Sequence, residues 1–325
     1  MYRGFILSTL KQVPSLPLSS GYKMSQIGLG TWLSKPGDVG NAVKVAIVIG
    51  YRHFDCAMLY ENQVEIGHAL KDIFDSGMVK REDVFITSKI WNTYHSYDKA
   101  KKAIDIMLKE LQVPYLDLVL IHFPTGYHEG GNLLPQDSDG RTIFSNVDYL
   151  DTWKAMEEGV KAGKIRSIGV SNFNIKQIER LRQHAIIKPS VLQVEMHPYF
   201  TQDNLLAYCK SHGMVLTAYC PLANNGHIFR TEGQPNLLEE KVMVELGQKY
   251  NKTPAQIAIR WAIQRGVSVI PKSTQPVHLK ENFQVWDFHL TLDDMSSISG
   301  LNQNWRITHM KQDAAHPHFP FTEEA

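Results

Sequence analysis

The stretch VFITSKIWN, residues 84–92, has the apolar and β-branched character of a buried strand, yet a lysine sits near its end. Side chains alternate across a strand, so Phe85, Thr87, Lys89 and Trp91 share one face and Val84, Ile86, Ser88 and Ile90 the other. Lys89 therefore points the same way as a tryptophan. That face is either a solvated strand end, the common fate of a lysine, or part of an active site. What the other apolar runs carry at their ends decides between them. Those ends hold Asp55 and Tyr60, His122 and Phe123, Ser171 and Asn172, Gln193 and Glu195, Tyr219 and Cys220, and Lys272 and Ser273. Carboxylates, phenols, amines and imidazoles exchange protons, and amides and hydroxyls recognise polar groups. A different chemistry is offered by His316-Pro-His318, a spacing that can bind zinc. It lies in the C-terminal tail rather than at a strand end, which argues against a metal-dependent hydrolase, so no metal is expected.

Positioning these residues together requires a repeating architecture, and the chain has one. Short β-branched runs (SQIGLGTW, YRHFDCA, VFITSKIW, LDLVLIHF, IRSIGVSNF, VLQVEMH, MVLTAYCPL and VSVIPKS) alternate with amphipathic helical patterns. Several of the latter begin at Asp, Ser or Thr and end at Gly, as capping physics favours. The last pattern, LLEEKVMVELGQKYNKTPAQIAIRWAIQRG, reads as one long helix. Alternating strands and helices imply parallel strands with right-handed crossovers, and eight such units predict a single-domain (β/α)₈ barrel. In that fold the C-terminal ends of all strands face one mouth. Residues 1–17 read as a loose N-terminal extension and 18–325 as the barrel with its tail. Two segments fall outside the repeat: Pro124 to Val147, and the tail from Leu301 onward. Excursions after barrel strands wall the active site.

Composition narrows the partners. A chain of 325 residues, 43 % hydrophobic and 21 % charged with a formal net charge of +1, has no electrostatic reason to bind nucleic acid or an anionic membrane. No apolar run approaches the ~20 residues that span a bilayer. Cys56, Cys209 and Cys220 are odd in number and widely spaced, which fits a reducing compartment and a cytoplasmic protein. The expected partner is a small molecule.

In order, DCAMLYENQVEIG, ITSKIWN, LVLIHFP, SIGVSNFN, QVEMHPYF, TAYCPLA and IPKSTQP resemble the motifs of the aldo-keto reductase family, and GLGTW with LNQNWRI resemble its aldose/aldehyde reductase branch. The resemblance spans roughly residues 18 to 325. It implies a barrel that uses NADPH, without metal or flavin, to reduce aldehydes and ketones, and a monomer. Carried over by motif, the catalytic residues are Asp55, Tyr60, Lys89 and His122. For the cofactor the resemblance implies Gly30, Thr31, Trp32 and Asp55; Ser171, Asn172 and Gln193 at the nicotinamide amide; Tyr219 stacked on its ring; and Cys220, Leu222 and Asn224. It further implies Lys272, Ser273, Thr274 and His278 at the 2′-phosphate, and Glu281 with Asn282 at the adenine. Trp32, Tyr60, Trp91, His122, Phe123, Trp305, Thr308 and Met310 would line the substrate pocket. Gly28-Leu-Gly30 is not a Rossmann fingerprint, since Leu33 occupies the third glycine position.

Carbonyl reduction makes sense of the four. A proton donor must release its proton as charge develops on the carbonyl oxygen, and Tyr60 would be that acid. A free tyrosine titrates near ~10, and bringing it to neutrality means favouring phenolate by about 4 kcal/mol. An ammonium ~4 Å away at an effective dielectric near ~20 is worth about that much, so Lys89 is expected to pull Tyr60 down. Asp55 would keep the lysine charged, and a neutral His122 would orient the carbonyl. The chain departs from the family pattern at Phe123, where tryptophan is usual, at Cys220 (serine), at Gly226 (often aspartate) and at His278 (often arginine). A barrel that binds NADPH without turnover is the alternative of a different class.

Overall fold

A computed structural model describes residues 13–223 and 233–322. It opens with a hairpin, β1 (Ser15–Pro17) against β2 (Lys23–Ser25), antiparallel with Leu16 opposite Met24. The hairpin therefore includes residues assigned on sequence to the N-terminal extension. Leu18 and Met24 pack with Phe85, Leu118, Leu120 and Val191 in an apolar cluster. Ser19 and Ser20 bond the hydroxyls of Ser190 and Ser167 at 3.0 and 2.7 Å, so the hairpin covers the N-terminal end of the barrel.

Eight parallel strands follow: β3 (Leu29–Gly30), β4 (His53–Asp55), β5 (Phe85–Ile90), β6 (Leu116–Ile121), β7 (Ile165–Ser171), β8 (Val191–Glu195), β9 (Val215–Tyr219) and β10 (Ser268–Val269). Each pairs with its sequence neighbour, and parallel bridges Ile27–Val269 and Gly30–Lys272 join first strand to last. This is the (β/α)₈ barrel expected from the alternation. The crossovers carry α1 (Asp38–Ile49), α2 (Gln63–Asp75), α3 (Tyr97–Leu111), α4 (Tyr149–Lys161), α5 (Ile175–His184) and α6 (Asp203–Ser211). The alternation inferred for VFITSKIWN holds: Phe85 joins the cluster inside the barrel, whereas Ile86 and Ile90 join the larger core between strands and helices. Lys89 therefore points inward.

Local chemistry sets the helix ends. Asp148 accepts the Leu150 amide ahead of α4, and Asn174 forms a capping box with Gln177 at α5. Gly50, at φ 124°, ends α1 in a conformation that side chains disfavour. The single long helix expected over residues 237–266 is instead two, α7 (Lys241–Tyr250) and α8 (Pro254–Gln264). The cause is local: Asn251 turns left-handed at φ 52°, then Thr253 caps α8 in a box with Gln256, with Pro254 at its first position. Helices α9 (Pro276–Phe283) and α10 (Leu292–Ser299) complete the chain before the tail. Among the described residues no helix is long and apolar enough to cross a membrane.

The excursion after β6 folds back on itself through bridges Tyr127–Phe144 and Gln136–Thr142. The tail lies against it: Asp313 accepts from the hydroxyls of Tyr127 (2.7 and 2.8 Å) and Thr125 (3.0 Å), and His316 accepts the Gly126 amide at 3.2 Å.

Candidate active site

Three strands and the turn after the first of them deliver the titratable residues to one place. Asp55 ends β4, Lys89 lies near the end of β5, and His122 follows β6 with its amide on the Ile90 carbonyl at 3.1 Å. Tyr60 closes a 3₁₀ turn, Met58–Tyr60, that carries its ring back over the mouth. Lys89 is fully buried and its ammonium is saturated: it is ion-paired to Asp55 Oδ1, and donates to the Cys56 carbonyl at 2.9 Å and to Tyr60 Oη at 3.2 Å. The other Asp55 oxygen accepts from Gln193 Nε2 at 2.7 Å, so both carboxylate oxygens are matched. The lysine at the end of VFITSKIWN is thus a buried charge held between a carboxylate and a phenol, and the solvated-end reading is excluded.

Burial pushes the Tyr60 hydroxyl well above its ordinary range, with the Asp55 carboxylate as the next cause. This corrects the expectation that Lys89 draws it down towards neutrality. That expectation counted the ammonium alone, and omitted both desolvation of the phenolate and the carboxylate that offsets the ammonium. The consequence is that Tyr60 holds its proton at neutral pH. His122 is lowered well below the usual imidazole range, first by burial and then by Lys89, so it is neutral. Its ring lies 5.9 Å from Tyr60 and 5.1 Å from Trp91, edge to face in both cases, and stacks with Phe123 at 5.4 Å. Trp32 approaches Tyr60 at 6.3 Å. An acid and a neutral imidazole thus stand beside each other in an aromatic wall.

A second, amide-rich cluster adjoins the first. Asn172 Nδ2 donates to the His122 carbonyl at 2.9 Å and to Ser171 Oγ at 3.1 Å, while its Oδ1 accepts from the Tyr219 hydroxyl at 2.8 Å. Asn172 (φ 61°) and Cys220 (φ 50°) are left-handed, a strain that recurs at binding sites. Thr31 donates to the Asp55 carbonyl at 2.8 Å, and Gly30 pairs with Asp55, tying the first strand to the second. Leu222 follows in the turn after β9, and Asn224 and Gly226 lie outside the described residues.

The remaining sequence candidates form the rim. Lys272 is exposed and donates to the Leu33 carbonyl at 3.3 Å, and Ser273 accepts the Gln275 amide at 3.1 Å. Thr274 is half-buried, His278 exposed, Glu281 half-buried and Asn282 buried along α9. In the tail, Thr308 lies near the Tyr219 hydroxyl, and Met310 precedes a 3₁₀ turn. Trp305 packs on Tyr199 at 5.6 Å and His197 at 6.2 Å. His316 and His318 lie 5.6 Å apart within the tail, and among the described residues no three His, Cys, Asp or Glu side chains are grouped to hold a metal ion. Sequence reading noted Glu195 at a strand end without giving it a role. Its side chain accepts the amides of Ile307 and Thr308 at 2.6 and 2.7 Å, a contact across 112 and 113 positions that no local pattern signals.

The Aldo/keto reductase family model matches residues 26–303. The chain is 46 % identical over 316 residues to aldo-keto reductase family 1 member A1 of Xenopus tropicalis and 43 % identical to that of Homo sapiens, in each case covering 94 % of this chain and 97 % of the relative. Among solved structures, the aldose reductase from Schistosoma japonicum superposes with a TM-score of 0.91 at 43 % identity, over 96 % of this chain and 100 % of that one.

Proposed function

Since the chain belongs to the aldo/keto reductase family, we propose that it reduces aldehydes and ketones to alcohols with NADPH, using Tyr60 as proton donor. One observation carries the reading: Tyr60 Oη lies 3.2 Å from a fully buried Lys89 that is itself paired to Asp55.

The residues present fit the dinucleotide. A carboxamide matches a cluster of Ser171, Asn172 and Gln193, all buried and all bearing groups that donate and accept, next to the Tyr219 ring. Lys272 with Ser273 and Thr274 stands just ahead of α9, where a cation, hydroxyls and free helix amides suit a phosphate. When bound, NADPH supplies a hydride to the carbonyl carbon. The protein supplies the rest. His122, neutral, donates to the carbonyl oxygen and sets its direction against Tyr60. Tyr60 keeps its proton until charge builds on that oxygen, then transfers it through Oη, and the 3.2 Å ammonium hydrogen bond stabilises the phenolate as it forms. Asp55 holds the ammonium in place. Trp32, Trp91, Phe123 and Thr308 form the walls and exclude water. The three free cysteines fit a reducing, cytoplasmic setting, and we infer a monomer.

The test is NADPH oxidation followed by absorbance over a panel of aldehydes and ketones. Tyr60→Phe should lower turnover by at least about 10²-fold, the contribution of a positioned acid, while binding NADPH as the parent does. Turnover near that of the parent would remove Tyr60 from the reaction, and no oxidation with any carbonyl would favour a barrel that only binds the nucleotide.

A further inference from the structure

Glu195 ends β8 at the mouth with its side chain wholly buried, and no step above uses it. A buried carboxylate is costly unless its oxygens are matched. Here they are: His197 Nε2 donates to Oε1 at 3.0 Å, the Ile307 amide to the same oxygen at 2.6 Å, and the Thr308 amide to Oε2 at 2.7 Å. Burial works to raise this carboxyl, but the hydrogen bond from His197 and the two amides outweigh it, leaving the group below its ordinary value and charged. Two successive backbone N–H groups on one anion hold a segment by its main chain, whatever its side chains are.

The tail is guided to this point. The amides of Gln303 and Trp305 both donate to the Tyr199 carbonyl at 3.1 Å. Just beyond the grip, the Thr308 side chain meets the Tyr219 hydroxyl, that hydroxyl donates to Asn172 Oδ1 at 2.8 Å, and Asn172 holds the His122 carbonyl at 2.9 Å. An unbroken set of contacts thus runs from Glu195 through the tail to the backbone of His122. Farther along, the tail has its own anchors: Asp313 on Tyr127, and the His318 and Pro320 carbonyls on Gln177 and Asn174 at 2.9 and 3.2 Å. Losing the Glu195 grip should therefore release residues 307–310 and leave the rest of the tail docked.

We propose that Glu195 is a positioning residue for substrate selection: by clasping the Ile307 and Thr308 amides it fixes the tail wall of the pocket and so decides which carbonyl compounds fit. The inference rests on reading the mouth as a carbonyl reductase site. Glu195→Gln preserves shape but turns one acceptor oxygen into an NH₂ facing an amide N–H. Losing one charge-assisted bond should raise KM for a bulky aromatic aldehyde about tenfold, with kcat changed less than twofold. KM for a short aliphatic aldehyde, too small to reach residue 308, should change less than twofold. Hydrogen exchange at the Ile307 and Thr308 amides should quicken in the variant. Combined with Thr308→Val, Glu195→Gln should be non-additive on the ratio of the two KM values, because both act through one wall. Glu195→Asp, which keeps the charge but shortens the reach, should fall between, and provides the same comparison if the glutamine variant does not fold. An equal KM change for both aldehydes, strict additivity with Thr308→Val, or unchanged exchange at residues 307 and 308 would overturn the proposal. Should the unaltered protein oxidise NADPH with no carbonyl, the functional reading fails instead, while amide exchange still reports on the clasp.

Discussion

Replacing Lys89 by methionine keeps the length of the side chain and removes its charge, which isolates what the ammonium does for Tyr60. The distance from Nζ to Oη is 3.2 Å. At an effective dielectric near ~20, a full phenolate at that distance gains about 5 kcal/mol from the ammonium. The transition state carries between roughly half and all of that charge, so Lys89→Met should slow the chemical step by about 70-fold to about 5000-fold. The substitution also strands Asp55 as a buried carboxylate, at a cost of about 3–5 kcal/mol in stability; the double variant Lys89→Met, Asp55→Asn removes the ammonium together with the carboxylate that offsets it, so it should lose less kcat than Lys89→Met alone. The assay is kcat at saturating NADPH and aldehyde, with thermal unfolding to show that the variants are folded and a fluorescence titration to show that NADPH still binds. A folded Lys89→Met variant with kcat within about threefold of the parent would refute the argument that Lys89 stabilises the forming phenolate.

Two further outcomes are expected. His278 stands exposed on α9, the helix that follows Lys272, where arginine would offer a fixed and always charged fork; His278→Arg should tighten NADPH about fivefold, the worth of an exposed pair, and leave NADH unchanged. An unchanged ratio of the two dissociation constants would place His278 away from the 2′-phosphate. Stability should also depend on pH. Burial holds His53 at about 4 and His95 at about 3, and puts His122 well below the imidazole range, so all three are neutral in the fold. Unfolding frees them to take up protons below ~6.5, so their contribution is complete above that pH and is lost as pH falls towards the folded values. Between pH 5.5 and pH 4.5 they should together cost about 3–4 kcal/mol of unfolding free energy, since one proton per group is worth about 1.4 kcal/mol per pH unit. Denaturant titrations at pH 8, 6 and 5 that coincide would contradict this.

The sequence by itself determined the order of strands and helices, the inward face of VFITSKIWN, and the strand ends from which Asp55, Lys89, His122, Asn172, Gln193 and Tyr219 project. These follow from alternation and capping, which act over a few residues and so leave a mark in the chain. The break at Asn251 was equally local and was legible in Asn251, Thr253 and Pro254, although the apolar period runs through it. Tertiary structure alone decided the rest. Whether Tyr60 holds or loses its proton depends on the balance of burial, Asp55 and Lys89, and the pattern of spacing counts only which groups are present. Closure of the barrel through Ile27–Val269, and the clasp of Glu195 on the tail, join positions more than a hundred residues apart. Neither partner has a local reason to favour the other. Each contact exists because the barrel brings two distant backbones within hydrogen-bond reach, where a buried carboxylate or an unpaired strand edge must find a partner.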